Sequence, residues 1–503
     1  MSQSTEQGAS PPAGDRRRWY GLAVVALAQL LIVVDMTIVN VALPSINDDL
    51  GIAAADRQWV ITAYTLSFGG LLLLGGRIAD FTGRRRALLI GLVGFAAASA
   101  LAGAAGDLTM LLAARAAQGA FGALLAPAAL ALLATSFTDP AERGRAFGVF
   151  GSAVAAGSPL GLMLGGALTT TLSWEWVFYV NAPIALAGFV GALLFLKDSR
   201  VEGGAGYDVA GAVLATAALA TLVYGLNRAT HDGWAAPTTL ALLVAGAGLV
   251  AAFLFAESKA ANPLLPLPVL FDRNRGGAYM VVLLMMTGPF GVYLFVSFFL
   301  QSVQGYSALA TGLAFLPMTA GVILASNLVG KVIKHVAPRF VMGFGLLMGA
   351  AGMLLLTRLE IDSSYALAVL SPIVMVGLGM GMTVPPALNA ATSEVAPRDV
   401  GAASATFQVS QQVGASLGTA LLSTVAAGTA TAYIAANGSS GAAELQSQVA
   451  GYNAATLWGA GILAVAALIA LSAMSTRLGA GPPAAEPAES TEPAPGEPKP
   501  NAG

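Results

Sequence analysis

Stretches of about 20 apolar residues recur along the chain, and they limit the possible folds more than any other feature of the sequence. An α-helix needs about that length to cross the hydrocarbon core of a bilayer, where every backbone polar group must be bonded within its own segment. Only 10% of the 503 residues are charged, against about 25% in a typical soluble protein. The sequence therefore predicts an all-α integral membrane protein with fourteen spanning helices, near residues 20–43, 57–77, 87–105, 109–135, 143–167, 176–196, 207–226, 238–256, 278–300, 309–333, 340–357, 365–391, 400–425 and 454–475.

The distribution of basic residues predicts the orientation of these helices. An even number of crossings puts both termini on one side, and most of the 24 lysine and arginine residues fall in segments on that side. Arg57, Arg228 and Arg358 are the exceptions that fall outside. Because loops that carry Lys and Arg stay in the cytoplasm, we expect a multi-pass protein of the cell membrane with both termini cytoplasmic. The ends, residues 1–18 and 477–503, lack apolar bulk and are predicted to be disordered.

The sequence around helices four and five recurs around helices twelve and thirteen. Gly157 and Gly161 align with Gly414 and Gly418. Paired six-helix halves are typical of transporters, whose substrate path lies between the halves. An outside loop is expected over residues 426–453. We expect an N-terminal half, two inserted linker helices, a cytoplasmic amphipathic connector on the inner leaflet and a C-terminal half, at residues 19–200, 201–260, 261–277 and 278–476.

Helix one carries an aspartate near its middle, Asp35, and we expect Pro44 to end that helix. An ionised Asp at the centre of a bilayer costs about 2.5–3.5 kcal/mol, and a low dielectric favours the protonated form. Such a group is suited to choosing between a proton and a cationic substrate. A structural aspartate that caps a break in the helix is the alternative. Asn40 and Tyr64 are the expected polar companions of Asp35.

Arg115 is predicted to lie early in helix four, followed by Gln118. Two interpretations are open for this arginine. It could extend to the outer interface while its aliphatic part stays in the apolar region, or it could be buried, in which case it needs a partner. With Gln118, Gly119 and Gly122 it resembles the helix-four motif of the major facilitator superfamily. That resemblance implies a buried arginine tied to proton movement.

The segment GRIADFTGRRRAL joins helices two and three. It could be a turn whose arginines only follow the bias toward basic cytoplasmic loops. However, Gly76 and Gly83 bracket Asp80 in a short turn, where a carboxylate can contact neighbouring helix ends. The segment resembles the loop signature of the major facilitator superfamily. The resemblance implies that Asp80 and Arg84 form a cytoplasmic latch, which docks at the start of helix thirteen near residues 399–401 and must break before the protein opens inward.

Helix five is rich in glycine and contains a proline. Glycines in membrane helices often serve only close packing. The pattern also resembles the antiporter motif of exporters in the same superfamily, although Ser158 interrupts its usual Gly-Pro pair. The resemblance implies a hinge or close-packing surface made of Gly157, Pro159, Gly161, Gly165 and Gly166.

A polar stripe runs along helix thirteen through Gln408, Gln411 and Gln412 at helical spacing. Hydrogen bonding between helices would explain it, since such bonds contribute about 0.6 kcal/mol each. The alternative is a substrate cavity lined by neutral polar groups and aromatic rings. Its other candidate lining residues are polar or aromatic side chains of six other positions: Asn40, Tyr64, Gln118, Tyr293, Asn327 and Asn389.

Three further segments, VDMTIVNVALP, QWVITAYTL and WEWVFYVNAP, resemble the drug:proton antiporter branch of that superfamily with fourteen spanning helices. The resemblance covers about residues 19–475. It implies a major facilitator fold that works by alternating access, exports hydrophobic or cationic drug-like compounds against protons, uses the proton gradient with no cofactor, and acts as a monomer in the bilayer without nucleic acid. A dedicated exporter of one antibiotic or metabolite and a transporter-like sensor are the alternatives.

Other classes lack the residues they require. The chain has no G-x-x-x-x-G-K-[ST] segment for ATP, and it has neither H-E-x-x-H nor G-x-S-x-G. With no cysteine and two histidines, His231 and His335, we expect neither an enzyme nor a metal site.

Overall fold

Fourteen helices long and apolar enough to cross a membrane are found in the part of the chain that the computed structural model describes. Those residues are 13–52, 57–137, 139–197, 208–333, 335–396, 398–438 and 440–474. The all-α prediction with fourteen spanning helices is therefore confirmed. Residues 13–18, predicted to be disordered, belong to the first helix, whereas residues 1–12 and the predicted disordered tail lie outside the described residues.

The spanning helices are labelled α1 to α14. A one-turn helix, Trp176–Tyr179, precedes α6, and a short helix, Leu267–Phe271, precedes α9. Single π-helical turns follow α9 and precede α12, and Ala308–Ala314 precedes α10. The bounds are Ala13–Leu50 (α1), Arg57–Thr82 (α2), Arg84–Gly103 (α3), Leu108–Ser136 (α4), Pro140–Thr171 (α5), Asn181–Phe195 (α6), Val209–Asp232 (α7), Pro237–Lys259 (α8), Arg273–Phe298 (α9), Leu316–Val332 (α10), Pro338–Leu356 (α11), Leu370–Thr392 (α12), Val400–Asn437 (α13) and Gly441–Ala473 (α14).

The helices pack in the same order twice. In the N-terminal half, α1 packs on α5 and α6, and α4 packs on α2 and α3. In the C-terminal half, α9 packs on α13 and α14, and α12 packs on α10 and α11. The inserted helices α7 and α8 pack on each other, and α7 also contacts α2 and α13. The insertion therefore lies against the seam between the two halves.

The glycines that align between the halves occupy equivalent crossings. A Cβ atom on Gly157 would lie 2.6 Å from Val33 of α1, and one on Gly414 would lie 2.1 Å from the carbonyl oxygen of Leu283 of α9. The α1–α5 and α9–α13 crossings are thus both too close for a side chain at these positions. The internal repeat in the sequence corresponds to a repeat of helix contacts.

Two expected chain breaks are helical instead. Pro44 lies inside α1, which continues to Leu50 because the turns beyond the proline are held by packing: Ile46 is fully buried beside Trp174. The outside loop expected over residues 426–453 is mostly the ends of α13 and α14. Alanine, the best helix former, fills these ends, and the hydroxyl of Tyr433 joins them by donating to Gln446 Oε1 at 2.7 Å.

The connector before α9 also differs from the prediction of a segment on the lipid surface. Leu264, Leu265 and Val269 are buried, in one apolar cluster with residues of α7, α8 and α13. The helix α9 begins at Arg273, where Asp272 accepts the backbone N–H groups of the first turn. Three apolar side chains of the connector thus face protein, whereas Phe271 is exposed.

The substitution Gly414→Ala is expected to lower the free energy of unfolding by about 1–3 kcal/mol, because the new methyl group forces α9 and α13 apart. Thermal unfolding of the purified protein in detergent measures the effect. The matched control is Gly461→Ala in α14, where a Cβ atom meets nothing within 4 Å. Equal unfolding temperatures for the two variants would contradict the tight crossing.

Candidate functional site

A charge pair lies inside the N-terminal half. Asp35 of α1 accepts a hydrogen bond from Arg115 of α4, with 2.7 Å between Oδ2 and Nη1. Asp35 is 0% and Arg115 1% exposed. In the low dielectric of such a site each charge is costly unless the other stays beside it. The pair therefore holds α1 against α4 in the interior of the N-terminal half.

The second carboxylate oxygen of Asp35 is also fully engaged. Its Oδ1 accepts from the amide of Asn181 of α6 at 2.7 Å and from Gln118 Nε2 of α4 at 3.1 Å. Both amides lie within hydrogen-bond distance of the hydroxyl of Ser99 of α3, at 3.3 and 2.6 Å. Arg115, Asn181 and Gln118 all donate to this carboxylate, so its two oxygens together accept three hydrogen bonds.

The guanidinium of Arg115 is enclosed on its other sides. Its Nε donates to the carbonyl of Val60 of α2 at 3.2 Å, and its Nη1 also donates to Gln118 Oε1 at 2.8 Å. It lies 4.3 Å from the centre of the Tyr64 ring, a cation–π contact. The hydroxyl of Tyr64 and the Oδ1 atom of Asn181 are buried without a hydrogen-bond partner. The Tyr64 hydroxyl can thus still donate a hydrogen bond, and Asn181 Oδ1 can still accept one.

These positions decide several interpretations of the sequence. Arg115 does not extend to the outer interface, because it is buried against Asp35. Asp35 does not cap a helix break, because α1 is continuous through it. Gln118, assigned to the substrate cavity, is fully buried in the charge network instead. Asn40, an expected companion of Asp35, is exposed and donates to the carbonyl of Met36 on its own helix.

Asn181 and Ser99 are the members of the network that the sequence reasoning missed. Asn181 lies within the quoted WEWVFYVNAP segment, at the start of an apolar helix. An amide side chain in such a run needs a partner, and that signal could have identified it. Ser99 gives no such signal, since a serine can bond to its own helix.

Glycines bring α5 directly against the part of α1 that carries Asp35. A Cβ on Gly161 would overlap the side chain of Thr37 and lie 3.0 Å from the carbonyl of Val34. Gly157 and Gly165 make similar contacts one turn away on each side. Gly166 lies off this stripe, where its carbonyl accepts from Thr170 at 2.6 Å.

Pro159 lies within α5, which stays helical through it. Proline has no N–H, so the carbonyl of Ala155 four residues earlier loses its partner in the helix. The hydroxyl of Thr319, on α10 of the other half, donates to that carbonyl at 3.4 Å. A gap in the hydrogen bonding of one half is thus filled by the other half.

A second cluster lies at the end of the bundle where α1 begins, called here the basic end. Asp80 of α2 is buried and accepts from Arg84 of α3, with 3.0 Å between Oδ1 and Nη2. Gly83, with φ of 99°, allows the one-residue turn between the two helices. The Oδ2 atom of Asp80 has no hydrogen-bond partner. It lies against Gly401 in the first turn of α13, so a Cβ on Gly401 would overlap it.

The same cluster has a second contact between the halves. Arg77 of α2 lies 3.7 Å from Asp399, the residue before α13. Gly76 lies close to the carbonyl of Gly401, where a Cβ atom would approach to 2.8 Å. A carboxylate at the start of a helix is favoured by the partial positive charge there. The predicted docking of Asp80 near residues 399–401 matches the observed contacts.

The candidate cavity residues are only partly brought together. Gln408 is buried and Gln411 and Gln412 are half-buried on α13, with Gln412 packed against Gly69 of α2 in the other half. Tyr293 packs against Phe315, with ring centres 4.9 Å apart. The glutamine stripe therefore faces the seam.

The two asparagine candidates are placed differently. Asn389 is half-buried and accepts from the hydroxyl of Ser393, the residue that follows its own helix. Asn327 is on an exposed face of α10 with Leu324 and Leu328 and donates to the carbonyl of Ile323. The structure thus gives Asn327 no place beside the glutamine stripe.

Comparison with known proteins adds an independent finding. The family model described as Major Facilitator Superfamily matches residues 25–419. The chain is 45% identical to a puromycin resistance protein of Streptomyces alboniger over 466 aligned residues. These residues make up 92% of each chain. It is 35% identical to a cephamycin export protein of Amycolatopsis lactamdurans, over 80% of this chain and 84% of that one. It is 34% identical to the multidrug efflux pump LfrA of Mycolicibacterium smegmatis, over 84% of both.

A solved structure, that of the human organic anion transporter MFSD10, superposes with a TM-score of 0.63. It covers 92% of this chain and 100% of its own, with 17% sequence identity. At that identity the likeness concerns the fold alone.

Removing the contact of Asp80 with α13 is expected to favour opening at the basic end. The chain has no cysteine, so Ser326→Cys introduces a single thiol at a buried site of α10 that faces Gly148 of the other half. In this background, Asp80→Asn and Gly401→Ala should each raise the rate of maleimide labelling about fivefold or more, the lower range of coupling between sites.

The control for this measurement is Asp107→Asn. Asp107 caps α4 near the opposite end of the bundle, and asparagine is an equally good cap. Its labelling rate should match the parent. A rise of the same size in the control, or none in the two latch variants, would contradict the role of the contact.

Proposed function

The chain belongs to the major facilitator superfamily, and from that premise we propose that it exports hydrophobic or cationic drug-like compounds in exchange for protons. The export is across the cell membrane, with both termini in the cytoplasm and the chain acting as a monomer without a cofactor. Relatives named for resistance, export or multidrug efflux support the class of substrate. The observation that carries the proton coupling is the buried pair of Asp35 and Arg115.

The pair provides a proton-dependent switch. Adding a proton to Asp35 removes the negative charge and leaves the guanidinium of Arg115 buried and uncompensated. Breaking a buried pair in this way costs about 3–5 kcal/mol, enough to favour a different arrangement of the helices. In the present arrangement Asp35 is 0% exposed. The proton and the substrate therefore act on it through a change of conformation, and the substrate does not contact the carboxylate in this state.

The change at Asp35 reaches the seam through α5. Val34 and Thr37 flank Asp35 on α1 and contact Gly161, which contributes no side chain of its own to the crossing. The same helix α5 packs on α10 and α12 of the other half. A shift of α1 thus moves the surface on which the halves rock, which is how alternating access works in transporters built from repeats.

The substrate path is proposed along the seam. The half-buried Gln411 and Gln412 offer neutral hydrogen-bonding groups there, and Tyr293 offers an aromatic surface for a planar or cationic compound. Uptake is from the cytoplasm or the inner leaflet, after the latch at Asp80 opens. Release is to the outside, where an external proton then reaches Asp35.

Two alternatives are distinguished by measurement. A dedicated exporter of one antibiotic or metabolite would share all of these features, and two of the relatives are named for single compounds. Counterflow of a compound in proteoliposomes would separate any carrier from a transporter-like sensor, since a sensor moves no substrate.

The substitution Asp35→Asn is expected to abolish proton-driven efflux in proteoliposomes with an imposed pH gradient, with puromycin and a fluorescent lipophilic cation as probes. It should also destabilise the protein, because Arg115 loses its partner. The double variant Asp35→Asn with Arg115→Gln removes both charges and should recover stability without recovering the response to the gradient. Undiminished gradient-driven efflux by a well-folded variant would refute the coupling role of Asp35.

The breadth of export is tested in a pump-deficient bacterial host. We expect expression of the chain to raise resistance to several unrelated hydrophobic or cationic compounds, puromycin and a cephamycin among them, and an uncoupler to remove the resistance. Resistance to one compound alone would favour the dedicated exporter. Empty vector and the Asp35→Asn variant are the controls.

A further inference from the structure

The inserted helices carry a second pair of acidic residues, the half-buried Asp208 and the buried Glu257, far along the chain from Asp35. Asp208 caps the start of α7, where its Oδ1 accepts the backbone N–H of Gly211 at 2.7 Å. Glu257 lies near the end of α8 and is 3% exposed, and its Oε2 accepts the backbone N–H of Leu265 at 3.0 Å. A position at a helix end suggests a solvated acid, so the sequence alone did not single out Glu257.

The remaining oxygens of the two carboxylates border the same small space beside Gly211. Asp208 Oδ2 and Glu257 Oε1 are both buried and find no hydrogen-bond partner among the described residues. They lie 2.6 and 2.5 Å from the position that a Cβ atom of Gly211 would occupy. Glycine at position 211 thus leaves room for two acceptor atoms, and neither atom has a donor.

The surroundings make two negative charges costly there. Leu219, Phe253, Leu264 and Leu265 belong to one buried apolar cluster that also includes residues of α2 and α13. Two carboxylates that border the same space, which a single Cβ atom would fill, cannot both be ionised cheaply in such surroundings. A single proton between them would give both unpaired oxygens a hydrogen bond, and a bond of an acid to a carboxylate is among the strongest.

One cation from a neighbouring helix acts on the pair. The guanidinium of Arg77 on α2 interacts electrostatically with Glu257 and lies 3.7 Å from Asp399 at the start of α13. The connector contributes the uncharged Leu264 and Leu265 to the apolar cluster around the pair. Lys259, on the same helix as Glu257, is exposed. Arg77 is therefore a cation that interacts with an acidic group on the inserted helices and contacts another at the start of α13.

We propose that Asp208 and Glu257 form a second proton-binding site, and that its occupancy controls the contact of Arg77 with Asp399. With the proton bound, one carboxyl O–H donates to the other carboxylate, and Arg77 stays with Asp399. When the proton leaves to water at the basic end, both groups are anions and draw Arg77 toward Glu257. The contact between α2 and α13 then weakens, so the inserted helices adjust the closure of the basic end to the local proton concentration.

The first test detects the bound proton directly. Infrared spectra of the full-length protein, in a detergent without carbonyl groups, should show the band of a protonated carboxylic acid that disappears as the pH is raised to about 8.5. Glu257→Gln should remove that band while its amide still donates to Asp208. Gly211→Ala, which puts a methyl group between the oxygens, should weaken it. An unchanged band in Glu257→Gln would overturn the proposal.

The second test measures the effect on closure, with the single thiol of Ser326→Cys as the probe. Between about pH 6 and about pH 8.5 the labelling rate, corrected with a free thiol, should rise about fivefold or more. The additional substitution Glu257→Gln should hold the rate at its low-pH value. Asp232→Asn, at the far end of α7 where Asp232 pairs with Arg228 at 2.7 Å, is the matched control and should keep the pH dependence.

The outcomes separate the parts of the proposal from each other and from export. Loss of the infrared band with an unchanged pH dependence of labelling would overturn the link to Arg77. A pH dependence abolished by Asp80→Asn but kept by Glu257→Gln would assign the response to the latch and overturn the role of the pair. Neither test uses a transported compound, so their results do not depend on whether the chain exports drugs.

Discussion

The buried ion pair of Asp35 and Arg115 is the interaction on which the N-terminal half depends. Two buried charges are stable only when they are paired with each other and hydrogen-bonded by their surroundings. That requirement brings α1 and α4 together with Ser99 of α3 and Asn181 of α6. The positions of four helices are thus set by one carboxylate, and a change in its charge affects them all.

The close helix crossings allow a change of charge at Asp35 to move the neighbouring helix. Where Gly161 meets Val34 and Thr37, no flexible side chain lies between α5 and α1 to absorb a movement. The equivalent crossing in the other half, at Gly414 and Leu283, is as close, but α9 has no acidic residue at the matching depth among those described. The two halves share a packing scheme, whereas among the described residues a charge pair is found inside the N-terminal half alone.

The fold could be predicted from the sequence because the apolar stretches are long and their alternation with basic segments is regular. Asp35, Arg115 and the Asp80 turn could also be identified, since a charge in an apolar run is rare and costly. The position of Gln118 could not, because an amide on a helix gives no sign of which neighbour it faces. Asn327 was misplaced for the same reason. The ends of α13 and α14 were missed because an alanine-rich segment with scattered polar residues suits a helix or a loop equally well.

The hydrogen bond from Thr319 to the carbonyl freed by Pro159 has a consequence for the stability of the two conformations. In a dry interior, a backbone carbonyl without a partner in its own helix needs a donor from elsewhere. Here the donor comes from the opposite half. In the alternating access proposed above, the halves separate here and water replaces the threonine as the donor to this carbonyl. Because of the proline, this carbonyl of α5 can accept a hydrogen bond from protein or from water. A helix of that kind can line a passage that is dry in one conformation and wet in the other.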